Sequence, residues 1–291
     1  MTGTAVLAPG SPVRNDPLWN LIEGGDMERL ECQWCHAQNP PEARSCEHCG
    51  APLDKAALVS DSGWREAPRL RDMAKFQFSN STCQVEGELV PVAEINLSPG
   101  DGVIFEHHTM LWKDESVPVG VYPLGGGLKR SLAGMPYVVT QAGGPGRIAF
   151  SRDAAGEIVT LLLHPSMEID AREHAFLAAS HSVRYSFERI KGLANILHGG
   201  SGMYLDRFVT AGEPGIVLLH GYGNVFERTL GPGEKILVEP GGYLYKDSSV
   251  TMQAVQLNVR TGVFRHGMYV AEMTGPGRVG IQSMYHHHAS E

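Results

Sequence analysis

At 291 residues, with a formal charge of −8 and no extended basic run, the chain is long enough for one large domain and a small appendage, and it lacks the clustered Lys and Arg of a nucleic-acid surface. No apolar run approaches the ~18 residues of a helical membrane span, and the opening MTGTAVLAPGSPVRNDP has no basic stretch followed by an apolar one, so no secretory signal is read there. Five cysteines, four of them within 18 residues, point to a metal site in a reducing compartment, and the expected location is cytoplasmic.

Residues 1–30 carry Gly, Pro, Asn and Asp without an apolar period and read as a mobile tail. Residues 31–54 contain Cys32-x2-Cys35 and Cys46-x2-Cys49, separated by ten residues. Each C-x2-C turns two sulfurs toward one point, and two such hooks supply the four thiolates of a closed tetrahedral site for structural Zn2+. A module this small cannot build a core, so the metal supplies its folding free energy. Cys32, Cys35, Cys46 and Cys49 are the expected ligands of a zinc ribbon, and His36 and His48 are neighbours of a site that is already full. Residues 55–74 have mixed charge and weak patterning, as expected of a linker or one short helix. Cys83 stands alone and reads as a small packed hydrophobe.

From residue 75 to residue 285 the pattern is β throughout. Short β-branched or aromatic runs such as Val103 to Phe105 and Ile236 to Val238 are bounded by Pro-Gly turns, and 35 glycines and 18 prolines supply many more. One stretch occurs three times: LSPGDGVIFEHHTMLWKDESV from Leu97, LHPSMEIDAREHAFLAASHSV from Leu163 and LGPGEKILVEPGGYLYKDSSV from Leu230, starting 66 and 67 residues apart. All three share a Leu (Leu97, Leu163, Leu230), a Pro two residues on, a second Leu (Leu111, Leu177, Leu244) and a Ser-Val pair (Ser116-Val117, Ser182-Val183, Ser249-Val250). A fixed period implies one structural unit used repeatedly, each copy burying its apolar face against the others. The expectation is a mainly β protein. A three-repeat antiparallel β-sandwich or β-helix-like domain with pseudo-threefold symmetry (repeats 88–150, 156–221 and 224–285) follows the small zinc ribbon, and a tail covers 286–291. All six leucines are expected in the core, with Leu97, Leu163 and Leu230 opening strands.

The runs GGGLKRSLAG (125–134), REHAFLAAS (172–180), GGSGMYLDRF (199–208), LLHGYGN (218–224) and TGPGRVGIQS (274–283) resemble the altered inheritance of mitochondria protein 24 family, whose domain is similar to the tryptophan RNA-binding attenuator protein-like fold. The resemblance covers residues 80 to 285 and implies a three-repeat β-sandwich with no established catalytic activity. The eukaryotic member is mitochondrial and linked to inner-membrane organisation. This chain has a zinc module where that member has a transit peptide, and the mitochondrial address is not carried over.

Enzyme-like features are few. Glu106-His107-His108 follows a Pro-Gly turn, as metal-binding histidines do in cupins, but adjacent residues of a regular strand point to opposite faces. In the repeat alignment His108 falls with His174 and Gly241, so a metal site there would lack its third corner. LLHGYGN and LHGG carry oxyanion-loop glycines without the G-x-S-x-G nucleophile elbow of a hydrolase. GGGLKR is not followed by the G-K-[ST] of a phosphate loop. The sequence therefore reads as a non-enzymatic scaffold or adaptor, self-associating as a homo-oligomer or binding a protein partner, with no nucleic acid expected. The alternative is a cupin-like metal-dependent enzyme using His107, His108 or His174.

Overall fold

The structure, a computed structural model, describes residues 30–31, 37–40, 43, 47–48, 60–69, 72–73, 75–123, 139–190, 203–210, 212–261 and 264–284. The run GGGLKRSLAG (125–134) and the tail 286–291 lie outside the described residues. Two short strands, β1 (Leu30–Glu31) and β2 (Gln38–Asn39), pair with each other. Then come β3 (Arg65–Glu66), β4 (Lys75–Phe78) and β5 (Ser81–Glu86). A first segment holds β6 (Val92–Leu97), β7 (Gly102–Glu106), β8 (Met110–Lys113), β9 (Val119–Val121), β10 (Val139–Gly143) and β11 (Gly146–Phe150). A second holds β12 (Gly156–Leu163), β13 (Glu168–Arg172), β14 (Phe176–Ser180), β15 (Val183–Ile190), β16 (Met203–Thr210) and β17 (Gly215–Tyr222). A third holds β18 (Val225–Leu230), β19 (Lys235–Val238), β20 (Tyr243–Asp247), β21 (Thr251–Thr261), β22 (Phe264–Thr274) and β23 (Gly277–Gln282).

The pairing scheme within each segment is the same. The sixth strand bonds the first and third: β11 to β6 and β8, β17 to β12 and β14, β23 to β18 and β20. The fifth bonds the second and fourth: β10 to β7 and β9, β16 to β13 and β15, β22 to β19 and β21. Each segment thus contributes two antiparallel half-sheets that share a core; in the first, Leu97 and Ile148 come from one and Val103 and Ala142 from the other. Two junctions join successive segments edge to edge. β7 pairs with β14 (Val103↔Ser180, Ile104↔Ala179, Phe105↔Ala178), and β13 pairs with β20 (Ile169↔Asp247, Asp170↔Lys246, Ala171↔Tyr245). The resulting sheets run β12-β17-β14-β7-β10-β9, β15-β16-β13-β20-β23-β18-β3, β4-β5-β6-β11-β8 and β19-β22-β21.

The shared sequence positions have specific structural uses. The Pro at 99, 165 and 232 is the second residue of a tight turn whose third residue has positive φ (Gly100 86°, Ser166 70°, Gly233 73°). That turn closes by Asp101 N–H to Ser98 O at 3.1 Å, Met167 N–H to His164 O at 2.9 Å and Glu234 N–H to Gly231 O at 3.1 Å, the type II pattern in which Pro supplies the first φ and Gly the second. The Ser-Val pair packs against a glycine that begins the sixth strand. A Cβ at Gly146, Gly215 or Gly277 would stand 2.5, 2.5 or 2.9 Å from Cγ2 of Val117, Val183 or Val250, so any larger residue would push the chains apart.

Three expectations change. Leu97, Leu163 and Leu230 close strands rather than open them, because the Pro-Gly turn follows them immediately. Five of the six leucines are buried, but Leu111 is 57% exposed. Its strand β8 ends a sheet, whereas β14 and β20, which carry Leu177 and Leu244, are flanked on both sides. Within the expected linker, β3 pairs with β18, and Thr160 donates to Pro68 O at 3.0 Å, so residues 65–69 cover open strand edges. Leu177→Ala and Leu244→Ala should each cost about 2–5 kcal/mol of unfolding free energy, whereas Leu111→Ala should change it by no more than about 0.5 kcal/mol. Chemical denaturation of the three variants checks this ordering.

Candidate functional site

His107 and His108 do not lie on a strand: Glu106 ends β7, and His107–Thr109 form a 3-10 turn directly after it, with the two imidazole rings edge-on and 5.4 Å apart. Thr109 anchors the turn, donating to Glu106 O at 2.8 Å and Leu177 O at 3.0 Å, the latter on β14 of the second segment. At the aligned place in the third segment Pro240–Gly242 form another 3-10 turn, capped by the Glu239 carboxylate at 3.1 Å. His174 lies in a turn at φ 69°, 3.8 Å from the carboxylate of Glu173 beside it. Among the described residues no group of three or more His, Cys, Asp or Glu side chains is arranged to hold a metal ion.

What surrounds His108 is a buried polar cluster. Glu106 is 2% exposed, and its Oε2 accepts from Arg152 at 3.3 Å and lies 3.2 Å from His108 Nε2. Burial, then the guanidinium of Arg152, push the His108 pKa down to about 4 despite the adjacent carboxylate, whose charge Arg152 already balances. His220, on β17, is 1% exposed and bonds Ala154 O through Nε2 at 3.1 Å. Burial and the same Arg152 hold its pKa at about 4, so it is neutral at pH 7 and donates from Nε2. His220 Nδ1 and Arg152 Nε are buried without a hydrogen-bond partner among the described residues. The arrangement sets one carboxylate between a guanidinium and the neutral imidazole of His108, while Thr109 holds the turn against β14.

A second buried cluster ties the β13–β20 junction. Lys246 Nζ reaches Asp170 Oδ2 at 2.6 Å directly across the strand pair, and Arg207 Nε reaches Asp170 Oδ1 at 2.7 Å. Burial alone would raise the Asp170 pKa, but these charged hydrogen bonds outweigh it and hold the carboxyl below its ordinary value. Glu227, fully buried, accepts from Tyr245 Oη at 2.7 Å and pairs with Arg65 on β3. A surface groove of about 500 Å³, lined by Asp101, Pro118, Gln141 and His181 among others, contains none of His107, His108 or His174. Cys83 is fully buried, and burial drives its thiol pKa far up, which suits packing rather than reactivity.

The four zinc cysteines lie outside the described residues, but their neighbours fit a two-hook module. β1 and β2 flank the first hook as a hairpin, pairing Leu30 with Asn39 and Glu31 with Gln38. Asn39, 1% exposed, donates to Ala37 O at 2.8 Å, and its Oδ1 accepts from Glu47 N–H at 2.9 Å, inside the second hook. One buried amide thereby ties Glu47, which stands between Cys46 and Cys49 in the sequence, to the strand pair β1–β2.

Fold and sequence together define a β protein of linked antiparallel half-sheets preceded by a short stretch with two Cys-x2-Cys pairs. The chain belongs to the family described as Mitochondrial biogenesis AIM24, whose model matches residues 83–284, and a zinc-ribbon domain model matches residues 32–53, the span of all four cysteines. No curated protein matches the chain. Protein SPYM3_0169 from Streptococcus pyogenes, known from its crystal structure, is 21% identical with a TM-score of 0.54 over 70% of this chain and 94% of that one, a likeness of fold. Among the described residues no helix is long and apolar enough to cross a membrane.

Sequence reading singled out Glu106, His107 and His108 but not Arg152, His220, Asp170, Lys246 or Glu227. His220 carries a sequence signal, a polar residue inside the apolar run IVLLHGY, whereas Arg152 in FSRDAAG carries none.

With a folded pKa near 4 against an ordinary 6.5, His220 binds fewer protons folded than unfolded between those values. Its contribution to stability is therefore full above pH 6.5 and declines as pH falls toward 4, by up to about 1.4 kcal/mol per pH unit. Denaturation at pH 7 and pH 5 should show a smaller pH-dependent loss in His220→Gln than in the parent, and equal losses would refute this account of His220.

Proposed function

We propose that the chain is a non-enzymatic scaffold or adaptor: the β domain forms the association platform, and the zinc ribbon, with Zn2+ held by Cys32, Cys35, Cys46 and Cys49, gives a second contact surface. The observation that carries this reading is the use made of the buried charges. Glu106, Asp170 and Glu227 are each taken up by charged partners that brace turns and strand junctions. The histidine best placed for chemistry, His108, is engaged with the carboxylate of one of them. Membership of the AIM24 family and the zinc-ribbon match support the same reading. The identical pairings of the three segments support one unit used three times about a rough threefold axis. The cysteine usage supports work in a reducing compartment such as the cytoplasm.

Complementation of a deletion strain tests the scaffold. His108→Ala should restore full function while keeping the parent's fold, and loss of function in a folded His108→Ala protein would sink the scaffold reading in favour of catalysis. The zinc ribbon is tested separately. Cys46→Ser should abolish the single zinc per chain measured by metal analysis, and Asn39→Ala should weaken its retention against a chelator. The melting transition of the β domain, which has its own core, should stay in place in both variants. Zinc retained by Cys46→Ser at the parent's stoichiometry would remove Cys46 from the ligand set.

A further inference from the structure

The two closed junctions share one register. Aligned by the 66- and 67-residue offsets, Val103, Ile104 and Phe105 correspond to Ile169, Asp170 and Ala171, and Ala178, Ala179 and Ser180 to Tyr245, Lys246 and Asp247. Both junctions pair these positions in the same way. The same offsets make Trp112 and Lys113 on β8 with Asp114 just beyond its end, and Ile236, Leu237 and Val238 on β19, the two halves of a third junction. Among the described residues they are not joined: β8 pairs with β11, β19 pairs with β22, and each ends its sheet. The side chains register the difference. Leu111, Trp112 and Leu237 are 57%, 37% and 51% exposed, whereas their counterparts Leu177, Leu244, Ala178, Tyr245, Ile104 and Asp170 are buried in the closed junctions.

An open strand edge with large apolar side chains is a template for pairing with another chain. Protective devices are sparse here: β8 is MLWK and β19 is KILV, with one lysine each and no proline. The two edges are halves of a junction that this sequence already builds twice, and the chain's own β19 does not cover its own β8. We propose that β8 and β19 are an interaction surface for a second copy of this chain, β8 of one copy pairing antiparallel with β19 of another as Trp112↔Val238, Lys113↔Leu237 and Asp114↔Ile236. The contact is heterologous, since two different edges meet, so it propagates from copy to copy until a ring closes or the chain of copies ends. It rests on the scaffold reading and identifies the partner that the platform assembles with.

Lysine placed on an exposed edge blocks such pairing without touching the core. Leu111→Lys spoils only the β8 edge, and Leu237→Lys only the β19 edge; unchanged thermal unfolding of each variant certifies its fold. In analytical ultracentrifugation at micromolar concentration the parent should sediment as species larger than its 31.5 kDa monomer, and each variant alone as the monomer. An equimolar mixture of the two variants retains one intact pair of edges and should form a dimer that grows no further. A monomeric parent, or a mixture that stays monomeric, overturns the proposal and would mean that the chain leaves the seam open or closes it on itself. A parent and variants that assemble alike would place self-association on another surface. Either result leaves the complementation test of the scaffold standing, so the two readings fail separately.

Discussion

Strands β14 and β20 are hydrogen-bonded on both sides, to a strand of their own segment and to one from the segment before, and the domain is organised by that double pairing. A strand buried on both faces must satisfy its N–H and C=O groups along both edges, since each group left unmade costs about 1–3 kcal/mol. Half-sheets from neighbouring segments supply those partners. The segments therefore do not sit beside one another as independent sandwiches; each finishes the sheet of the next. The core follows the same rule, with Leu177, Ala178, Ile216 and Leu218 of the second segment packed in one cluster with Val103, Phe105 and Ile148 of the first.

Charge fixes the register where apolar packing alone would tolerate a slip. A shift of one residue turns every side chain to the other face. At the β13–β20 junction a slip would separate Lys246 from Asp170 and leave the buried Lys246 ammonium unmatched, a penalty of several kcal/mol. At the β7–β14 junction the facing residues Ile104 and Ala179 are apolar, and the turn that follows β7 does the pinning through Thr109 and the Glu106–Arg152 pair. The same junction geometry is thus held by two different chemistries.

The N-terminal module follows another economy. A module of so few residues is too short to build a core, its described contacts run through the Asn39 amide and the short β1–β2 pair, and the expected zinc would supply what burial cannot. The β domain needs no such help. The segment between them is not wholly slack, because Arg65 reaches the buried Glu227 and Arg69 lies 3.1 Å from Glu157.

The sequence by itself determined the β class, the period, the turns and the metal-ligand spacing, because each depends on residues close together in the chain: Pro followed by a positive-φ residue, a short apolar run, cysteines two apart. It also showed that Leu97, Leu163, Leu230, Leu177 and Leu244 belong inside. Only the tertiary structure decided that Leu111 does not, since burial of that position requires a strand from another segment and β8 has none. The pairing of Asp170 with Lys246 and of Glu106 with Arg152 was likewise out of reach of local reading. Their sequence separations, 76 and 46 residues, exceed any local period, and a charge inside an apolar strand says nothing about its partner until the sheets are assembled.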